Sequence, residues 1–409
     1  MDITPWGTVD RLVVAAGGRQ DQLEQAIEEA GPDRVAELLA AEIRIRAAAP
    51  DDVTDVHLNL TMEFRGSLFR HLVSFKEGRM SVEPGSSEGV LADVRYELSD
   101  LVRLLYPPRE GIQSHSRDVH VVTWPWTGRN NEFSPLWPDK VIQRAALSQE
   151  QRAALGMARM TILFRAVQAV IAAASDGPVS LDELAACYGS DKWGALHFYT
   201  PHYARHFGPM RYEPIRILEI GIGGYDSETL GGESLYMWQR FFPRGLVYGL
   251  DIFAKPGVTG PRIRTVVGDQ NDPAFLRELA ETAGPFDIVV DDGSHVNEHV
   301  RTSYETLFPH VRPGGFYVIE DLHTAYWPEF GGELPPGSSA TTTGLLKDLI
   351  DDLHRCELAE DDERPAGNHP SDISIYHNLA VLRKGIAHER GIPAWVQQRA
   401  DQWIHPGRK

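Results

Sequence analysis

Between Phe286 and Asp321 the chain reads FDIVVDDGSHVNEHV and, after a helical interval, GGFYVIED. Two short apolar runs, Phe286–Val290 and Gly315–Ile319, end in acid: Asp291 and Asp292 after the first, Glu320 and Asp321 after the second. Such runs read as strands buried on both faces, as in a parallel sheet under helices. Ligands of open α/β sheets sit outside the carboxyl ends of the strands, where these acids emerge. His295 follows three residues after Asp292. Carboxylates and a histidine converging on one crevice suit a hard, oxygen-liganded cation with a proton acceptor beside it. Acids after strands also serve as helix caps, so either pair alone is ambiguous. Both pairs together with His295 favour a site.

A second group precedes the first. RILEIGIGG (Arg216–Gly224) reads as a buried strand opening into glycines, SLYMWQRFF as a helix with Ser234 as its N-cap, and LVYGLDIF as a strand ending at Asp251. Strand, glycine turn, helix, strand and acid form a nucleotide-binding βαβ unit. A dinucleotide site would place a third glycine where this chain has Asp226, and an acid is wrong beside a pyrophosphate; Glu219, just before the glycines, adds to the conflict. S-adenosylmethionine has a ribose and an adenine but no phosphate, and its sulfonium and ammonium welcome acid. A third strand, RIRTVVGD, ends at Asp269 and Gln270. Glu219, Gly221, Gly223, Asp251, Asp269, Gln270 and Asp291 are therefore the expected S-adenosylmethionine residues, with NAD disfavoured.

The elements that must position these groups belong to a chain of 409 residues, long enough for two domains. A formal net charge of −18 argues against nucleic acid. Cys187 and Cys356 are the only cysteines, which gives neither a disulfide framework nor a thiol metal site. The start MDITPWGTVD is unlike a signal peptide, and the most apolar stretch, near Met157–Ala174, contains Arg159 and Arg165. A cytoplasmic protein with no membrane partner is expected. Residues 8–48 are helical in pattern; from His57 the apolar period becomes two, with a strand–turn–strand around Gly78, and LSDLVRLLYPP reads as a short helix. This is a small α+β module with a one-sided sheet. A long loop at 109–140 carries Trp124, Trp126 and Trp137, read either as an interface or pocket wall or as glue between domains. YGSDKWGALHFYTPHYARHF reads as a segment folded over a site, although core packing would look similar. HTAYWPEFGGELPPGSSATTTG, after Asp321, reads as a lid or a surface insertion. LLKDLIDDLHR is an amphipathic helix, and DISIYHNLAVLRKG a hairpin finishing the sheet.

EIGIGG, GGESLYMWQRFFP, GLDI, GDQND, DDGSH and IEDLHTAY, with GSDK upstream, occur in order between about Tyr188 and Lys384. In these motifs the chain resembles the macrolide-sugar O-methyltransferases, the macrocin and mycinamicin VI enzymes and their rhamnosyl relatives. The N-terminal part resembles the mycinamicin VI 2''-O-methyltransferase branch, which carries an auxiliary domain. The resemblance implies an α/β fold: an auxiliary α+β domain at 1–145, then a Rossmann-like seven-stranded S-adenosylmethionine-dependent methyltransferase domain at 146–409. It implies Mg2+ ligands at Asp292, Glu320 and Asp321, a general base at His295, and a homotetramer whose auxiliary domains complete neighbouring sites. The implied reaction methylates a deoxysugar hydroxyl, such as the 2'-hydroxyl of rhamnose, on a glycosylated polyketide. The chemistry asks for the same groups: a cation presents two vicinal hydroxyls and a histidine takes one proton. His299 and His323 read as supporting or surface residues. A catechol-like acceptor, an NAD-dependent oxidoreductase and a non-catalytic S-adenosylmethionine-binding protein are the alternatives.

Overall fold

The structure is a computed structural model that describes residues 7–385 except 48–49, 51–52, 54, 77, 88, 109–116, 123–125, 128–131, 134–148, 175–179, 194–196, 229, 335–339 and 355–368. Its N-terminal part opens with helices α1 (Thr8–Ala16), α2 (Gln20–Ala30) and α3 (Pro32–Arg46). Strands β1 (Val56–Phe64), β2 (Ser67–Lys76), β3 (Arg79–Pro84), β4 (Ala92–Glu97) and β5 (Asp118–Val121) follow, with α4 (Leu98–Leu105) after β4. They form a sheet in the order β3-β2-β1-β4-β5. Period-two apolarity puts Leu58, Leu60 and Met62 of β1 into the core. β4 pairs parallel with β1, a direction that alternation alone does not encode. Helix α5 (Gln149–Ala174) packs with α3 and α4 against this sheet, burying Met160, Leu163, Val167, Val170 and Ala174 at helical spacing. The expected domain boundary at 145/146 lies outside the described residues. So do Trp124 and Trp137, while Trp126 contributes backbone to a two-strand ribbon, β6 (Trp126–Thr127) with β7 (Glu132–Phe133).

The second part runs α6 (Leu181–Tyr188), α7 (Thr200–Phe207), β8 (Arg216–Ile220), α8 (Glu233–Phe241), β9 (Leu246–Asp251), β10 (Ile263–Val267) and α9 (Pro273–Ala283). It continues with β11 (Phe286–Asp291), α10 (Asn297–Leu307), β12 (Val311–Glu320), α11 (Thr342–Leu353), β13 (Pro370–Tyr376) and β14 (Leu379–Lys384). Seven strands align as β10-β9-β8-β11-β12-β14-β13, a Rossmann-like sheet in which β14 alone runs antiparallel to the rest, pairing with β12 on one side and β13 on the other. β11 is buried along its whole length, as its continuous apolar run requires. Strand order reverses between neighbours β8 and β11, which opens a crevice beyond their carboxyl ends.

One local expectation is corrected. Ser234 does not cap α8; the N-cap is Gly232, at φ +89, where a Cβ would come within 2.6 Å of Val258 Cγ1. A side chain there is excluded both by conformation and by the close approach of Val258. Ser234 instead hydrogen-bonds the Glu219 carboxylate.

The two parts meet in buried polar contacts. Glu42 of α3 accepts from Arg262 Nε at 2.7 Å and pairs with Arg46 at 3.3 Å. Tyr188 donates to the Ile45 carbonyl at 3.1 Å. Among the described residues no helix is long and apolar enough to cross a membrane.

Candidate active site

At the β8 tip the chain turns through Gly221, at φ +90. A Cβ there would stand 2.1 Å from the Asp292 carbonyl oxygen, so only glycine lets the β11 loop close on β8. The Asp292 amide donates to Ile220 across that contact at 2.9 Å. Above the next glycine, Gly223, the nearest atom to a built Cβ is Gly231 Cα at 3.9 Å, which leaves open room over the turn. Asp251, at the β9 tip, accepts from the Ile222 amide at 2.9 Å and from the Phe253 amide at 2.9 Å. It thus stitches the glycine turn to its own loop. Asp269 is exposed and accepts from the Asn271 amide at 2.8 Å.

The other expected cofactor residues lie beneath this surface. Glu219 is fully buried, accepting from Trp238 Nε1 at 2.8 Å, and burial raises its pKa. Asp291 is buried too, with its pKa pushed up to about 6 by burial. It accepts from Ser303, from Tyr317 at 3.0 Å and from Gln270 Nε2 at 3.1 Å. Gln270 in turn accepts the Ser294 amide at 2.6 Å, which fastens the loop leading to His295.

That loop and the β12 tip form the acidic edge. Asp292, His295 and Asp321 bring one ligand atom each within 4.8 Å of one another. His295 and Asp321 are both non-glycine residues in left-handed backbone, at φ +57 and +52. Such conformations cost about 1–3 kcal/mol each and cluster at functional sites. His295 Nε2 lies 3.6 Å from Asp321 Oδ2, and His197 Nε2 lies 3.6 Å from Oδ1. Tyr199 donates to Oδ1 at 2.7 Å, and burial raises the tyrosine's own pKa. Glu320, next along, is turned inward: its Oε1 accepts from Lys192 Nζ at 2.7 Å and from Tyr203. Burial and then the charge of Asp292 hold its pKa well above the usual carboxylate range, against the pull of Lys192. The donor set of two partly open carboxylates, a third just beneath them and a histidine fits a hard divalent ion.

Sequence reasoning assigned no role to Lys192, His197, Tyr199 or Tyr203. All stand in the GSDK…HFYTPHY stretch, whose density of aromatic and histidine residues was the available signal. The Tyr199 amide donates to Lys192 O at 2.9 Å. His299 bonds Ser294 Oγ at 2.9 Å and His323 meets the edge of Trp327, each beside the acidic edge. Past Asp321, Asn297 donates to the Phe330 carbonyl at 2.7 Å and accepts the Thr342 amide at 2.6 Å, pinning the segment that carries the half-exposed Trp327. Residues 335–339 of the expected lid lie outside the described residues.

Two family models match the chain: MycE methyltransferase N-terminal over residues 9–117 and a methyltransferase domain over 231–322. Demethylmacrocin O-methyltransferase of Streptomyces fradiae is 42% identical over 402 residues, 97% of this chain and 96% of that protein. Mycinamicin VI 2''-O-methyltransferase of Micromonospora griseorubida is 42% identical, covering 95% and 94%. A solved structure of the MycE methyltransferase in complex with Mg, S-adenosylhomocysteine and mycinamycin VI superposes with a TM-score of 0.83 at 37% identity, over 99% of this chain and 100% of that one. Both halves of the fold and nearly the whole length are shared: the chain belongs to the macrolide and polyketide sugar O-methyltransferase family.

Proposed function

We propose that this enzyme transfers the methyl of S-adenosylmethionine, with Mg2+, to a deoxysugar hydroxyl of a glycosylated polyketide, such as the 2'-hydroxyl of a rhamnose. The observation that carries the reading is the convergence of Asp292, His295 and Asp321 beside the glycine turn. Asp292, Glu320 and Asp321 would hold the cation, and Gly221, Gly223 and Asp251 would line the cofactor pocket. Glu219, Gln270 and Asp291 support that pocket from below, with Asp269 at its exposed rim. When bound, the cation supplies positive charge that eases ionisation of a sugar hydroxyl, and the cofactor supplies an electrophilic methyl on its sulfonium.

The residues of the chain do the rest. His295 takes the hydroxyl proton; its Nε2 stands 3.6 Å from Asp321 Oδ2, at the edge where the hydroxyl would be held. Tyr199 fixes Asp321 through its 2.7 Å hydrogen bond. A general base of this kind contributes about 10²–10⁴-fold, and alignment of the two reactants up to about 7–11 kcal/mol, so positioning is the larger share. The family resemblance also supports a cytoplasmic homotetramer with the auxiliary domain at 1–145 completing neighbouring sites, which light scattering would check.

The reading is tested by incubating the full chain with S-adenosylmethionine, Mg2+ and a panel of glycosylated polyketides, simple catechols and free sugars. Mass spectrometry and NMR would locate the new methyl. A methyl ether on a sugar of the glycosides is the expected product. Methylation confined to catechols would overturn the reading.

A further inference from the structure

We propose that Lys192 is a positioning residue for the metal-binding acids, a buried cation that holds Asp292 and Glu320 where they receive the divalent ion. The inference rests on the metal reading above and adds a residue to it. Lys192 is fully buried, yet its ammonium reaches three carboxylates: Asp292 Oδ2 at 2.7 Å, Glu320 Oε1 at 2.7 Å and Glu219 Oε1 at 3.2 Å. These acids come from three different places, β8, the loop after β11 and the end of β12. The ammonium donates hydrogen bonds to Asp292 and Glu320, and Glu219 stands within ion-pair distance of it. One atom therefore ties together the strand tips on both sides of the point where strand order reverses.

The segment around Lys192 extends this reach. Its carbonyl accepts the Tyr199 amide, and Tyr199 donates to Asp321 at 2.7 Å. Lys192 and Tyr199 together thus contact all three proposed ligands. Lys192 binds only one oxygen of Asp292 and one of Glu320, which fixes each carboxylate's rotation about its bond and leaves its other oxygen. Buried charges are costly to desolvate and persist where they are paired and hydrogen-bonded. The side chains of Asp292, His295 and Asp321 remain 24, 24 and 16% exposed, while that of Lys192 is 1% exposed. The ammonium therefore sits beneath the opening rather than within it.

A cation occupying the metal's own seat would predict the opposite effect on metal affinity, so the two roles separate by sign. Metal-stripped full-length protein would be titrated with Mn2+ and followed by electron paramagnetic resonance. S-adenosylhomocysteine affinity would be measured by calorimetry alongside. Lys192→Met should bind Mn2+ about 10–100-fold more weakly, as when a group orienting a ligand is removed, while cofactor affinity changes little. Unchanged or tighter Mn2+ binding in Lys192→Met would overturn the inference. Asp292→Asn is the control: its loss of Mn2+ affinity is expected, and wild-type affinity in that variant would sink the metal reading itself. Should Lys192→Met fail to fold, Lys192→Met/Glu219→Gln keeps the buried charge balanced, and there Mn2+ affinity alone is read, with the same two outcomes. In the wild type, the 15N-labelled Lys192 ammonium should stay protected from fast proton exchange when Mg2+ is added. Its release on metal binding would mark it as a displaced stand-in and overturn the proposal.

Discussion

In the five-stranded sheet His71 lies buried on β2 with neither ring nitrogen in a hydrogen bond, whereas at the tips of the seven-stranded sheet Lys192, Glu219, Asp291 and Glu320 are all buried among partners. The first sheet tolerates a polar group as a space filler, held neutral by burial. The second concentrates titratable groups and offsets the cost of burying them with mutual contacts, at the edge where a ligand is received. Neither burial nor close pairing alone therefore signals function here: Glu42 and Arg262 are as buried and as closely paired where the two parts meet, and the acids of the second sheet differ in standing beside an opening.

That contrast can be broken at three places. The largest effect is expected at the acidic edge. His295→Ala should slow single-turnover methyl transfer by about 10²-fold or more, with cofactor affinity little changed and part of the loss recovered as pH rises. A wild-type single-turnover rate in that variant would move the base elsewhere. A smaller effect is expected at the glycine turn. Asp251 holds two backbone amides, and hydrogen bonds to a charged group are worth about 1.5–3 kcal/mol, so Asp251→Ala should weaken S-adenosylhomocysteine binding by about 10–100-fold in calorimetry. Its Mn2+ affinity should not follow; a parallel loss would merge the two edges into one unit.

The smallest effect belongs to the five-stranded sheet. Burial depresses the folded-state pKa of His71 below the ordinary histidine value, against the smaller opposing pull of Glu37. The unfolded chain then takes up the proton first, so stability present at neutral pH is lost as pH falls below about 6.5 toward the depressed folded value. His71→Leu should flatten that acid-side decline in thermal melts while leaving turnover at neutral pH intact. An identical decline in the variant would show that His71 is not buried in this way.

How far these features could be read in advance depended on whether their cause was local. The β11 and β12 runs and their acids were legible because strands covered on both faces are continuously apolar and their tips are not. The βαβ unit was legible in Arg216–Asp251 for the same reason. The cap of α8 was misread, because Gly232 is demanded by Val258, a contact 26 residues away in the chain. The parallel pairing of β1 with β4 was not legible, since alternation fixes a face and not a direction. Lys192 lies 100 residues from Asp292 and 128 from Glu320, and nothing in the GSDK motif alone says which acids it will meet. Sequence likewise placed Asp251 and Asp291 at strand tips, but not that one would bind backbone amides and the other turn into the core.

The central claim is that the acids at the β11 and β12 tips serve a divalent ion in sugar O-methylation. It is tested most directly by stripping the protein with EDTA, assaying methyl transfer to a glycosylated polyketide that it accepts, and adding Mg2+ back. The account predicts no turnover after stripping, intact S-adenosylhomocysteine binding throughout, and recovery with Mg2+ in the wild type but not in Asp292→Asn. Full turnover in EDTA would contradict it.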